Sequence, residues 1–171
     1  YAGVQWKHYE LNVNRKQLMV YRVSGHHAME WIDSGKSYFY SDSTLISDQE
    51  RIRFHIRPNR VASGVGATEI NEPGFVKSLN GLRYFYLNKT KVLLIDQKKI
   101  GLPNKVVTDY LILSNNAVSS LDKILKNIDF KMLILDSSNS SFYSTKMLRE
   151  AKSKNLSVHS VITQGAFTAI L

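Results

Sequence analysis

The sequence predicts an α/β fold with a β-meander in its first half and a βαβ-type second half. Short runs of strand-forming residues at 18–23, 28–32 and 38–40, separated by turn residues, indicate the meander. Near-continuous apolar runs at 106–113 and 132–135 alternate with helical patterns, which is typical of parallel strands buried on both faces. The patterns therefore predict a βαβ succession that follows a β-meander, and we expect the two halves to meet near residue 100.

The first half carries its own start and stop signals. Residues 4–8 alternate apolar and polar side chains as a first strand, and residues 33–36 have the composition of a hairpin turn. A helix is predicted to begin at Ser47, because Ser47 and Glu50 have the spacing of a capping box. Pro58 is predicted to end this helix.

The later elements are predicted from periodicity and chain breaks. They are, in order, a loop or irregular strand (63–74), two strands (82–87 and 91–96), the first buried strand, a short helix, the second buried strand, a helix (143–154) and two closing strands (158–162 and 166–170). The short helix is predicted to be capped by Ser120 and to carry Leu121, Ile124, Leu125 and Ile128 on one face.

Composition excludes several function classes. The 171 residues contain no cysteine, which excludes disulfides, CxxC redox chemistry, thiolate zinc sites and cysteine nucleophiles. The formal net charge is +9, which favours attraction to polyanions such as nucleic acid or an anionic membrane face. No apolar window is long enough to span a bilayer, and no signal peptide opens the chain. Because the sequence starts at Tyr1 without a methionine, we expect a fragment of a longer protein.

Two polar features are candidates for chemistry. His26 and His27 are neighbours, and neighbouring residues on a strand point to opposite faces, so we expect turn or surface histidines and no shared metal ion. Asp136 opens a serine-rich loop after a buried strand, where α/β sheets place ligands. That loop could hold a metal or a phosphate, but we favour the simpler interpretation that its side chains satisfy backbone amides. No nucleophile elbow and no phosphate-binding P-loop are present.

Basic residues cluster in two places. The candidate DNA-binding residues are Arg51, Arg53, Arg57, Arg60, Lys98, Lys99 and Lys105. Charges on an exposed helix are usually just solvated, so the charge permits DNA binding without requiring it. Aromatic residues that could stack on single-stranded bases occur at 84–86, where strand packing explains them equally well.

The order of the motifs resembles a known family. Residues 18–28, followed by a hairpin and residues 38–42, resemble the opening meander of a metallo-β-lactamase-like domain. Residues 108–116 resemble the segment that in active members reads Asp-x-Leu and ends in a histidine pair. The loop Asp136-Ser137-Ser138-Asn139-Ser140 before a helix and the closing Gly165-Ala166-Phe167 are the most distinctive part. The whole arrangement is similar to the C-terminal soluble domain of ComEC-type competence proteins, particularly the shortened version in Bacteroidetes.

The resemblance implies a degenerate metallo-β-lactamase-like αββα sandwich, with residues 1–171 forming one domain of a larger membrane protein. Active members carry an H-x-H-x-D-H loop, which is absent here. Asn115 and Asn116 stand where those members have the histidine pair. With Asp136 they mark a degenerate site, at which we expect no catalytic residue, no metal and no cofactor.

The resemblance also implies a role in DNA uptake. We expect a non-catalytic domain of an inner-membrane channel, on the extracytoplasmic side, that guides single-stranded DNA by charge. Its partners would be single-stranded DNA and the membrane-embedded channel of the same polypeptide, with no small-molecule substrate. One alternative is a metal-dependent nuclease or phosphoesterase that degrades the non-transported strand, with Asp42, Asp109 and Asp136 as ligands. A third alternative is a purely structural module that binds no ligand.

Overall fold

Two sheets packed face to face form the centre of the fold. The computed structural model describes residues 16–69, 76–102 and 104–171. Within these residues the first sheet has the order β11-β1-β2-β3-β4, with β1 Lys16–Val20, β2 Ala28–Asp33, β3 Lys36–Ser41, β4 Ala67–Glu69 and β11 Phe167–Ile170. The second has the order β10-β9-β8-β7-β6-β5, with β5 Val76–Leu79, β6 Leu82–Leu87, β7 Thr90–Ile95, β8 Val106–Leu113, β9 Ile128–Leu135 and β10 Val158–Ser160.

The predicted meander is confirmed in the first sheet. Strands β1, β2 and β3 pair antiparallel in sequence order. Ser34 and Gly35 connect β2 to β3 with φ of 52° and 78°, the left-handed pair that a two-residue hairpin requires. The last strand, β11, returns from the end of the chain and pairs with β1.

The second sheet brings four strand ends to one edge. Strands β7, β8, β9 and β10 are parallel to one another, so their carboxyl-terminal ends meet there. As predicted, β8 and β9 are neighbouring strands inside the sheet, but only their carboxyl-terminal halves are buried on both faces, since residues such as Val107 in the first half of β8 are exposed. Leu111 and Leu133 pack on one side, Ile112 and Ile134 on the other, and all four are at most 1% exposed.

Helices pack on parts of both outer faces, and the last short helix packs its Val161 between the sheets. The helices are α1 Ser43–Ser47, α2 Gln49–His55, α3 Arg57–Ala62, α4 Asp122–Leu125, α5 Ser141–Ser153 and α6 Val161–Gln164. Leu45 of α1 and Ile56, between α2 and α3, pack on the outer face of the first sheet. Ile124 of α4 and Met147 of α5 pack on the outer face of the second. The layers are thus helix, sheet, sheet, helix, which confirms the predicted α/β class.

The single helix predicted from Ser47 to Pro58 is wrong. Ser47 ends α1, and Asp48 caps α2 by accepting a hydrogen bond from the Arg51 amide. Pro58 lies in the first turn of α3, where its missing N–H breaks no intrahelical bond. The chain therefore makes three short helices here.

Three other boundaries differ from the prediction. Ile128 belongs to β9, because it pairs with Val106 of β8. Residues 161–162 lie in α6 and not in a strand. Strand β5 was not predicted. The second sheet also contains β6 and β7, so it begins at Val76, and the boundary predicted near residue 100 is wrong. The strand predicted over 4–8 lies outside the described residues.

Candidate functional site

Loops from both sheets meet at the edge where β7 to β10 end. We call this the polar edge, formed by loops 21–27, 114–117 and 136–140. Ser137 joins the two sheets there: its hydroxyl accepts a hydrogen bond from the Val23 amide at 3.0 Å. Its carbonyl accepts one from the Gly25 amide at 3.0 Å. The loop after β9 is therefore fastened to the hairpin loop between β1 and β2.

Asp136 is the buried carboxyl of the polar edge, with a residue exposure of 1%. Ser114 donates its hydroxyl hydrogen bond to one carboxylate oxygen. The other oxygen accepts hydrogen bonds from the Ser138 backbone amide at 3.0 Å and from the Ser138 hydroxyl at 2.5 Å. It also lies 3.3 Å from Nδ2 of the Asn139 side chain. Burial raises the pKa of Asp136 to about 7, although the hydrogen bonds from Ser114 and Ser138 act in the opposite direction.

Asn115 and Asn116 are brought to Asp136 by the same network. Both have φ in the left-handed region, at 54° and 52°, a conformation that asparagine tolerates better than most residues. The Asn115 amide donates to the Ser138 hydroxyl at 2.8 Å, and the Asn116 amide donates to Oδ1 of Asn139 at 2.8 Å. Loop 114–117 is thus hydrogen-bonded to loop 136–140 through residues that follow Asp136. A cleft of about 400 Å³ opens beside them, lined by Arg22, Ser24, Asn116 and the serines of the Asp136 loop.

The histidine pair adjoins a second carboxylate. His26 and His27 lie in the loop before β2, not in the strand, so the alternation argument does not apply to them. Nδ1 of His26 lies 2.9 Å from Asp42, and Nδ1 of His27 lies 3.8 Å from it. Burial lowers the pKa of His27. Burial alone would raise the pKa of Asp42, but hydrogen bonds from Thr44, Leu45 and His26 outweigh it and hold the pKa at about 2.

Sequence reasoning missed the residues that surround His27. Its ring stacks on Tyr40 with centroids 5.5 Å apart, and the Arg83 guanidinium lies 5.3 Å from the Tyr40 ring centroid. Arg83 also pairs with Asp96 at 3.2 Å. Nε2 of His27 and Oδ1 of Asp96 are buried without a hydrogen-bond partner in the described part of the chain. Because these residues come from two strands and two loops, no local spacing could have indicated them.

The three aspartates of the nuclease hypothesis are not brought together. Asp109 lies within β8, four residues or about 13 Å before the strand ends. It is bound there by Lys131 at 2.7 Å and by the Lys91 amide at 2.8 Å. Asp42 and Asp136 belong to two other hydrogen-bond networks, so this ligand set is wrong. Across residues 16–69, 76–102 and 104–171, no three His, Asp or Glu side chains are placed to hold one metal ion.

The predicted DNA-binding arginines differ in what they contact. Arg53 and Arg57 are exposed, and so is Arg51, which pairs with Asp48 at 3.2 Å and contacts Nε2 of His26. Arg60 is different, because its guanidinium pairs at 2.6 Å with Glu30, a fully buried carboxylate, and lies over the Phe39 ring.

The lysines of the second basic cluster lie elsewhere. Lys98 and Lys99 are exposed in the loop after β7, and Lys105 pairs with Asp129 at 3.3 Å.

Comparison with models of protein families finds a match over most of the chain. The family model described as ComEC C-terminal domain matches residues 18–171, which include every described strand and helix except the first two residues of β1. No curated protein matches the chain. Among the helices that the structure describes, none has the length and apolar character needed to cross a membrane.

Proposed function

The chain belongs to the ComEC C-terminal domain family, and on this premise we propose that it is a non-catalytic domain that guides single-stranded DNA by charge. The family acts in competence DNA uptake, and its proteins are membrane-associated. In our proposal residues 1–171 form one degenerate metallo-β-lactamase-like domain. It lies on the extracytoplasmic side of the inner membrane, beside the channel-forming part of the same polypeptide.

The closed hydrogen-bond network at Asp136 carries the non-catalytic part of the proposal. Ser114 and Ser138 occupy the carboxylate oxygens, and burial disfavours the ionised form that a metal would need. Asn115 and Asn116 use their backbone amides to bind the neighbouring loop. The edge at which a hydrolase would hold a metal-bound water is therefore used to fasten loops together.

The exposed arginines of α2 and α3 support the DNA part. Arg51, Arg53 and Arg57 are exposed on consecutive short helices, and the chain as a whole carries a formal charge of +9. Contacts between arginine and phosphate release counterions, so such binding is sensitive to salt and indifferent to base sequence. A domain that guides a strand of any sequence needs this kind of binding.

Anisotropy titrations with unrelated labelled oligonucleotides at several salt concentrations test the DNA part. A triple change of Arg51, Arg53 and Arg57 to Gln is compared with a control that loses the same charge elsewhere. The control changes the exposed lysines Lys123, Lys126 and Lys152 to Gln. We expect the salt slope to fall by about 2 in the arginine variant, since each lost single-strand phosphate contact removes about 0.7. The control should keep its slope. Absence of binding at low salt, or a strong sequence preference, would overturn the DNA part.

The non-catalytic part has its own experiment. The domain is incubated with single- and double-stranded DNA in the presence of zinc, manganese or magnesium, and its metal content is measured. We expect no cleavage and no stoichiometric metal. Cleavage that disappears in Asp136→Asn, a variant that preserves the shape of the network, would instead establish the nuclease alternative.

A further inference from the structure

Strand β6 carries three consecutive aromatic residues whose rings point to two different faces. Phe85 is 3% exposed and packs between the two sheets. Tyr84 and Tyr86 alternate with it and therefore point to the outer face of the second sheet. Tyr86 is 54% exposed. Packing between the two sheets thus explains Phe85, and Tyr84 is partly buried against the outer-face core, which leaves Tyr86 as the exposed ring.

The outer face of the second sheet is open around these tyrosines. Helix α4 packs on β9 and helix α5 on β10, at the opposite end of the sheet from β6. Val107 of β8, which borders this part of the sheet, is 59% exposed. A groove of about 240 Å³ runs between Tyr84, Tyr86 and the start of β8.

Two lysines flank the rings. The strand register places Lys77 of β5 opposite Tyr84 and Lys91 of β7 opposite Tyr86, so each lysine lies on the same face as its tyrosine. Both lysines are exposed, and both line the groove. Neither forms an ion pair with a carboxylate in the described part of the chain. We call this surface the tyrosine face, formed by Lys77, Tyr84, Tyr86, Lys91 and Val107.

The acidic group Asp109 interacts with Lys91 but forms its ion pair with another lysine. Asp109 is bound by the Lys131 ammonium at 2.7 Å, and that hydrogen bond is the main reason why the pKa of Asp109 is lowered. Lys91 also lowers the pKa of Asp109, but the direct ion pair is with Lys131, so Lys77 and Lys91 can still contact an anion.

We propose that the tyrosine face binds single-stranded nucleic acid, with bases stacked on Tyr84 and Tyr86 and phosphates beside Lys77 and Lys91. The proposal rests on the proposed function for the identity of the ligand. The two rings are about 7 Å apart along the strand, and aromatic side chains on an open sheet face are a platform on which successive bases can stack. A duplex keeps its bases stacked on one another, so this face should prefer a single strand.

The tyrosine face is separate from the arginines discussed above. Helices α1 to α3 pack on the outer face of the first sheet, whereas the tyrosines lie on the outer face of the second. The two surfaces therefore lie on opposite sides of the sandwich, and each surface can be tested independently with its own variant.

The test uses a fluorescein-labelled oligothymidylate and a duplex of equal length. We expect Tyr86→Ala to weaken single-strand binding about tenfold, the loss of one stacked base, without changing the salt slope. Tyr86→Phe should bind as the unaltered protein does, since its ring is kept. Phe142→Ala is the matched control, because Phe142 is an 83% exposed aromatic residue on α5, away from the tyrosine face. Lys77→Gln and Lys91→Gln should each lower the salt slope by about 0.7.

The outcomes separate this proposal from the proposed function. Binding that survives Tyr86→Ala but is lost in the arginine triple variant overturns the tyrosine face and leaves the DNA-guiding function standing. Equal loss of single-strand and duplex binding in Tyr86→Ala overturns base stacking. No oligonucleotide binding by the unaltered domain, even at low salt, overturns both proposals. Because Tyr86 is exposed, its variants should keep the melting temperature of the unaltered domain, which is checked in parallel.

Discussion

Replacing Asp136 with asparagine tests whether the polar edge is a structural network. Burial raises the pKa of Asp136 from its ordinary value of 3.8 to about 7. The difference of about 3 units corresponds to about 4 kcal/mol, since one unit is 1.36 kcal/mol. Because the pKa of Asp136 is lower in the unfolded chain, the unfolded chain loses the Asp136 proton at a lower pH than the folded protein does. The stabilising contribution is therefore complete below about pH 4 and is lost progressively up to about pH 7.

The asparagine variant should keep the contacts and lose this pH dependence. Its carbonyl oxygen can accept from the Ser138 amide, and its amide group can donate to the Ser114 hydroxyl, so both sides of the network are retained. We expect Asp136→Asn to match the unaltered protein near pH 4. Above about pH 7 we expect it to be more stable, by at most about 4 kcal/mol.

Urea unfolding followed by near-ultraviolet circular dichroism, repeated across this pH range, measures the difference between the two proteins. Burial lowers the pKa of His27, so its contribution to the pH dependence of stability has the opposite sign. That contribution is common to both proteins and cancels in the difference. A difference in unfolding free energy that does not change with pH would refute the argument, because Asp136 would then not hold its proton in the folded state.

Three more substitutions are tested by the same unfolding measurement. Arg60→Ala should cost about 3 kcal/mol, because it leaves the fully buried Glu30 carboxylate without its cation, whereas Arg60→Lys should cost less. Ser137→Ala should cost about 2 kcal/mol, because it removes the hydroxyl that joins the two sheets. The matched change Ser144→Ala should cost less than about 0.5 kcal/mol, since the buried Ser144 hydroxyl has no hydrogen-bond partner in the described structure. Gly81→Ala should cost more than about 1 kcal/mol, because φ is +78° and the new Cβ would lie 2.8 Å from a backbone carbonyl oxygen. Equal costs for the two serine changes would contradict the assigned role of Ser137.

Elements with strong local signals could be predicted from sequence. The hairpin at Ser34–Gly35 and the buried strands β8 and β9 were predicted because turn chemistry and continuous apolar runs act over a few residues. A helix after β3 was predicted too, but its bounds were wrong, because Ser47 and Asp48 can both serve as caps. Packing of Leu45 and Ile56 on the first sheet favours Asp48 and divides the predicted helix into three.

Part of the candidate site could be predicted and part could not. The positions of Asn115, Asn116 and Asp136 follow from the rule that parallel strands end at one edge, which needs only the order of strands. The cluster around His27 depends on Arg83 and Asp96, which are far away in sequence and come from the opposite sheet. The packing and register of strands that are distant in sequence determine such a cluster. The hydrophobic periodicity along each strand carries no information about which distant residues will meet.

The sequence by itself determined that Tyr84 and Tyr86 share a face which Phe85 does not, because side chains alternate along any strand. It also determined the net charge and the alternation of strands and helices that makes an α/β fold. Only the tertiary structure decided which of the two faces is covered. Phe85 is buried because the first sheet packs against that side of β6, and the first sheet is built from the beginning and the end of the chain. The tyrosines are left facing outward because α4 and α5 are placed at the other end of the sheet, a consequence of strand order that no stretch of sequence near β6 contains.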